Sequence, residues 1–240
     1  MSKQYETGNA KNVANLQKLI EHISLYTNYN PPVESLTVEN LNLLYANALN
    51  AITEAEEKRN AKKNAISVRQ EKYNTLKKTS TRVINQLEIL GLTEGILAQA
   101  KHLNKLIQGN TKKKKQIDEA TGEEKKTIST SRQSYTQLAD NFAKLIQLLT
   151  TIPAYSPNLE ELKLESLNDY HASLVESTKK VDQTEAAFSS KLIERNAILY
   201  KDGANLYTTV QNVKKYVKSI YGAKSPEYQN IAKIKFIVNL

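Results

Sequence analysis

The chain holds three histidines, His22, His102 and His171, and none has a second His, Asp or Glu at the spacing of a metal-binding helix pair such as His-Glu-x-x-His or Glu-x-x-His. Cysteine is absent, which removes thiolate nucleophiles, zinc-thiolate and iron–sulfur ligation and disulfide frameworks. No serine sits in a Gly-x-Ser-x-Gly elbow, and neither Gly-x-Gly-x-x-Gly nor Gly-x-x-x-x-Gly-Lys occurs to cradle a phosphate. The carboxylates, for example Glu54, Glu56 and Glu57, stand in mixed runs with lysines, where a solvated helix face outweighs a paired acid and base. The expectation is a chain with no catalytic, cofactor-binding or metal-ligating residue: not an enzyme.

What remains is binding chemistry. There are 13 tyrosines against 3 phenylalanines, and in the last third Tyr200, Tyr207, Tyr216, Tyr221 and Tyr228 interleave with Lys201, Lys214, Lys215, Lys218 and Lys224. Such a mixture can stack bases and hold phosphates, which makes Lys214, Lys215, Lys218, Tyr216 and Tyr221 candidate nucleic-acid or anion contacts. It is also what a helix carries at a half-buried edge, where the ring packs and the hydroxyl stays wet. The run Lys112, Lys113, Lys114 and Lys115 has the same two readings, an anion contact or a linker kept extended by its own charge. A formal net charge of +9, spread over both halves, raises the chance of an anionic partner without marking a basic arm.

These residues sit on a repeat. Sliding the sequence by 126 positions brings Asn15, Lys18, Leu19 and Ile20 onto Asn141, Lys144, Leu145 and Ile146. Tyr29, Pro31, Glu34, Leu36, Glu39, Leu41 and Asn42 then meet Tyr155, Pro157, Glu160, Leu162, Glu165, Leu167 and Asn168. Arg69 meets Arg195. A repeated ion pair of these arginines with Glu34 and Glu160 is one reading, and arginines facing water is the other. Beyond Arg69 the register needs a shift of several residues, after which Thr93-Glu94 falls opposite Pro226-Glu227.

Each copy reads as a helix, an elbow, a long helix, a third helix and a short fourth. Val13, Leu16, Leu19, Ile20 and Ile23 make one apolar face of the first helix, and Leu138, Phe142, Leu145, Ile146, Leu149 and Ile152 make its counterpart. The elbows, with Tyr29 and Pro31 in one copy and Tyr155 and Pro157 in the other, must end those helices, because proline has no amide donor and forces its predecessor out of helical geometry. Restart is signalled by Thr37-Val38-Glu39, and by Asn158 with Glu161 at capping-box spacing, which sets the two starts up to a turn apart.

The long helices run about 38 residues, roughly 57 Å. One carries Leu167, His171, Leu174, Thr178, Val181, Glu185, Phe188 and Leu192 at alternate three- and four-residue steps, a coiled-coil-like seam. Leu41, Tyr45, Ala48, Ile52, Ala55, Arg59 and Ile66 form the weaker series in the other. Gly91 and Gly222 close the third helices, and Ser225-Pro226-Glu227 opens the last one.

The close of the chain, Val217-Lys218-Ser219-Ile220-Tyr221-Gly222-Ala223-Lys224-Ser225-Pro226-Glu227-Tyr228 with Ile234-Lys235-Phe236, resembles that of tandem all-helical proteins of Bacteroidetes-type bacteria. The resemblance implies a helical fold and carries no activity.

The expectation is therefore an all-α chain: two tandem pseudo-repeated antiparallel helical bundles with long coiled-coil-like helices, the first repeat at 9–108, a charged linker at 109–130 and the second repeat at 131–240. The expected function is a structural or protein-interaction role, scaffold or adaptor, in a larger assembly, with protein partners or self-association; the alternative is association with nucleic acid. No apolar leader and no stretch of about 20 apolar residues is present, so integral membrane insertion is not expected and a cytoplasmic location is.

Overall fold

The computed structural model describes residues 3–109, 134–201, 203 and 205–238. Among them the fold is all-α, with no strand. The helices are α1 (Lys3–Ser24), α2 (Val38–Asn74), α3 (Leu76–Glu88), α4 (Glu94–Gln108), α5 (Tyr135–Thr150), α6 (Leu164–Asn196), α7 (Leu206–Tyr221) and α8 (Pro226–Ala232). Short 3₁₀ turns, Glu34–Leu36 and Glu160–Leu162, precede the 37-residue α2 and the 33-residue α6, and a π-helical turn, Ala197–Lys201, follows α6.

The apolar faces expected for α1 and α5 are buried in full: Val13, Leu16, Leu19, Ile20 and Ile23 on one, Leu138, Phe142, Leu145, Ile146, Leu149 and Ile152 on and just past the other. On the long helices only the N-terminal part of each series is core. Leu41, Ala48 and Ala55 of α2 and Leu167, Leu174 and Val181 of α6 are buried, whereas Glu185 is exposed and Arg59, Ile66, Phe188 and Leu192 are half-buried. Burial every seventh residue keeps one narrow stripe of a long helix against its neighbours.

The backbone geometry of the elbows recurs 126 residues apart. Tyr29 N donates to Tyr26 O at 3.0 Å and Tyr155 N to Ile152 O at 2.9 Å; Leu36 N donates to Val33 O and Leu162 N to Leu159 O, both at 3.0 Å. Leu41 N to Thr37 O and Leu167 N to Lys163 O, both 2.9 Å, then open the long helices at matched positions. Asn158 therefore does not set the start of α6 one turn early: Leu159 precedes the 3₁₀ turn with no side-chain cap, and the helix begins at Leu164. The register shift beyond Arg69 also has a place. Only Thr75 separates α2 from α3, whereas the π-helical turn and the residues up to Asn205 separate α6 from α7. The last helices start after Thr93 and Ser225, of which Ser225 alone caps with its side chain, one residue from the expected pairing of Thr93 with Pro226.

The chain divides into two compact units, residues 1–62 with 184–240, and residues 63–183; the boundaries fall inside α2 and α6. These units do not follow the sequence-order division at 9–108 and 131–240. In the first unit α1 and the 3₁₀ turn at Glu34–Leu36 share a core with α7 and α8, through Leu16, Leu19, Leu41, Leu206, Val213 and Ile231. In the second unit α5 and the 3₁₀ turn at Glu160–Leu162 share a core with α3 and α4, through Leu76, Leu87, Ile107, Phe142, Leu145 and Leu167. The first unit thus packs α1 and its elbow against helices at the far end of the sequence, whereas the second packs α5 and its elbow against the two helices that immediately precede it. The linker beyond Gly109 lies outside the described residues.

Candidate functional site

The elbow tyrosines are structural anchors. Tyr29 Oη donates to Leu36 O at 2.6 Å, and Tyr155 Oη donates to Leu162 O at 2.8 Å, so each ring reaches over its proline turn and ties the last carbonyl of the 3₁₀ turn. Burial pushes both phenols up, Tyr155 to about 12. Pro31 and Pro157 lie half-buried at the turns.

The Lys/Tyr series of α7 is drawn into the first unit's own contacts. Tyr216 meets Tyr29 edge to face at a 5.5 Å centroid distance and donates its hydroxyl to Asn30 O at 2.6 Å. Tyr221 meets Tyr26 in the same manner at 5.7 Å, and its hydroxyl accepts from Asn28 N at 3.1 Å. Lys214 donates to Ile234 O with its ammonium 5.4 Å from the Phe236 ring centroid, and burial lowers its pKa. Lys218 stands over Tyr228 at 5.7 Å, and Lys215 is exposed. Lys112, Lys113, Lys114 and Lys115 lie outside the described residues.

The repeated arginines do not face water. Arg195 is buried and donates to Asn196 Oδ1 at 2.9 Å, while Arg69 is half-buried with its guanidinium carbon 4.1 Å from the Tyr135 ring centroid. Glu160 pairs with Lys163 instead, at 2.6 Å. Of the histidines, His102 is exposed, His22 is half-buried, and His171 is half-buried with its ring 6.5 Å from Phe142. Among the described residues no group of three or more His, Asp or Glu could hold a metal ion, and no helix is long and apolar enough to cross a membrane.

An open cleft of about 370 Å³ in the first unit brings together residues that sequence spacing did not connect. Glu54 and Asn50 of α2 face Lys191 and Glu194 of α6 there. Lys191 Nζ lies 2.9 Å from Glu54 Oε2 and 2.6 Å from Glu194 Oε2, and Asn50 Nδ2 donates to Glu54 Oε1 at 2.9 Å. The hydrogen bonds to Glu194 and Glu54 raise Lys191 to about 12; the bond from Lys191 lowers both carboxyls, and Asn50 adds to it for Glu54. A lysine held protonated has no lone pair for attack on a carbonyl, and carboxylates held ionised are poor general acids. This cluster therefore offers fixed charges and amides for recognition. The Lys191–Glu194 spacing was visible in the sequence; its meeting with Glu54 requires α2 and α6 to run antiparallel within this unit.

A separate polar constellation lies along α1. Asn12 Nδ2 donates to Ile237 O at 2.6 Å while Asn12 Oδ1 accepts from Ile237 N at 3.1 Å, and Asn15 Nδ2 donates to Lys235 O at 2.8 Å. Asn12 also donates to Tyr200 Oη at 2.9 Å, and Tyr200 donates to Asn9 Oδ1. Sequence reading missed this set, because asparagines on a helix give no signal until the segment they hold is known.

Compared with protein-family models, with curated proteins and with solved structures, the chain matches none.

Proposed function

We propose that the chain is a non-enzymatic protein-interaction protein, a scaffold or adaptor within a larger assembly, built from two copies of one helical unit whose long helices present docking positions. The observation that carries this reading is matched apolar exposure. Leu49 is 45% exposed and Val175, 126 residues on, is 47% exposed; Val33 and Leu159, matched in the same way beside the elbows, are 52% and 49% exposed. Single exposed apolar residues are ordinary on a protein surface. The same exposure kept at two pairs of equivalent positions is what two copies of a docking surface would require. Leu43, Val68 and Ile193 are also exposed but have Asp169, Glu194 and Ser67 at the matched places, so they are not part of this set.

The alternative, association with nucleic acid, rests on the Lys/Tyr-rich surface of the last third, on the lysines at 112–115 and on the net charge of +9. Against it, the Tyr216 and Tyr221 rings and the Lys214 ammonium are engaged inside the first unit, which leaves Lys215 and Lys218 of the candidates among the described residues. Molar mass by light scattering, at low and high salt and with and without a DNA duplex, separates the readings. The scaffold reading expects indifference to the duplex and, where the partner is the chain itself, a salt-independent oligomer. A monomer that shifts onto the duplex only at low salt would replace it with the alternative.

A further inference from the structure

The face of α1 bearing Asn9, Asn12 and Asn15 reads main chain. These residues recur every third position and so share one side of the helix. Beyond α8 residues 235–238 belong to neither helix nor strand, and side chains supply main-chain partners there: Lys214 at the carbonyl of Ile234, Asn15 at the carbonyl of Lys235, and Asn12 at both the N–H and the carbonyl of Ile237. One amide satisfying both groups of a single residue recognises extended backbone whatever side chain it carries. Side-chain selectivity comes from alternation. Ile234 and Phe236 pack on the core of the first unit, while Lys235 and Ile237 are exposed, Ile237 at 55%.

Two further observations point past the chain's own segment. Asn9, 0% exposed, has no hydrogen-bond partner for its Nδ2, although Tyr200 donates to its Oδ1; a donor is buried without an acceptor at the next step of the series. The second unit provides an internal control. There the matched positions on α5 are Tyr135, Leu138 and Asn141, and the neighbouring cover is the helix α4, whose backbone is satisfied internally. Asparagines stand at positions 9 and 12 only where the cover is non-helical, its side chains alternating between half-buried and exposed.

We infer that this face of α1 is a binding site for an extended segment of a partner polypeptide carrying an aliphatic residue and, two residues on, an aromatic one, and that residues 234–238 occupy it as an intramolecular stand-in. The inference is independent of the exposed positions on α2 and α6, and either can fail alone.

The test uses the full chain with its own segment weakened. Phe236→Ser removes the aromatic anchor and leaves α1 intact. A fluorescent peptide of residues 232–238 is titrated into the wild-type chain, the F236S chain and F236S carrying Asn12→Leu, the residue type found at the matched position of α5. The expected result is binding to F236S at least about 10-fold tighter than to wild type, whose tethered segment competes at high effective concentration, and loss of binding with Asn12→Leu. Equal binding to all three, or none to an F236S chain that keeps its helical circular dichroism, would overturn the inference. Should F236S fail to fold, the peptide is titrated into intact wild type and intact Asn12→Leu to millimolar concentration: binding to the first alone supports the site, and binding to neither or to both overturns it.

Discussion

Removing a single hydroxyl from each elbow should distinguish the two units, although the sequence around them is matched. Tyr155→Phe keeps the ring and deletes the donor to Leu162 O; Tyr155 and Leu162 are both buried, at 7% and 1%, so water has little access to the carbonyl left behind. A buried acceptor without its partner costs about 1–3 kcal/mol, and with the ring packing retained we expect about 1–2 kcal/mol. For a chain of this size that lowers Tm by roughly 2–4 °C per kcal/mol. Tyr29→Phe deletes the equivalent bond to Leu36 O, but that ring is half-buried and water can replace the hydroxyl, so about 0.5–1 kcal/mol is expected. The two variants should add within about 0.5 kcal/mol, since the residues share no partner. Urea unfolding followed by far-ultraviolet circular dichroism, with hydrogen exchange of the Leu162 and Leu36 segments to assign the loss, measures both. Equal costs, or a smaller cost for Tyr155→Phe, would refute the argument that access of water to the carbonyl decides the magnitude.

Burial holds the phenols of Tyr26, Tyr29, Tyr73, Tyr155 and Tyr170 neutral above their ordinary titration range, so the folded chain keeps protons that the unfolded chain releases. Stability should be unaffected by these groups below pH about 10 and should fall as pH rises from there to about 12, with a shallower fall in Tyr155→Phe, read from urea midpoints across that range. Phe142→Ala, at a fully buried ring packed edge to face on Tyr170 at 5.6 Å, should cost about 3–5 kcal/mol by the same assay. Ser225→Ala removes the cap accepting from Tyr228 N at 3.1 Å and should cost about 1 kcal/mol, with exchange of the α8 amides rising first. Lys191, bonded to two carboxylates, should react with an amine-modifying reagent more slowly than exposed Lys215, and Glu54→Gln with Glu194→Gln should remove the difference, followed by mass spectrometry of the labelled peptides.

The helices and their buried faces were legible because local spacing carries them. The apolar positions of α1 and α5 follow a helical period, Pro31 and Pro157 enforce the elbows, Gly222 closes α7 at a positive φ of 91°, and Ser225 caps the last helix; Gly91, also at positive φ, stands two residues beyond Ile89, where α3 is capped. Pairing of elements was not legible. A 37-residue helix carries the chain from one core to another, so α1 meets α7 and α8 rather than α3 and α4, and no local signal records that choice. The tyrosines of α7 show the same limit. Their spacing with lysine suited both a wet edge and a stacking surface, and only the position of Tyr26 and Tyr29 opposite Tyr221 and Tyr216 shows that the rings and hydroxyls of those two are already used. The cleft at Lys191 and the asparagine series of α1 depend on residues more than 100 positions apart, beyond the reach of any spacing rule.

The interaction reading is tested most directly by placing a photo-crosslinking residue at Leu49 and, separately, at Val175, with exposed Glu57 as a control, and identifying by mass spectrometry what each captures in the cells that express the chain. Positions 49 and 175 should capture the same polypeptide, either one other protein or a second copy of the chain, and position 57 should not. No capture at either matched position, or the same background from all three, would contradict it.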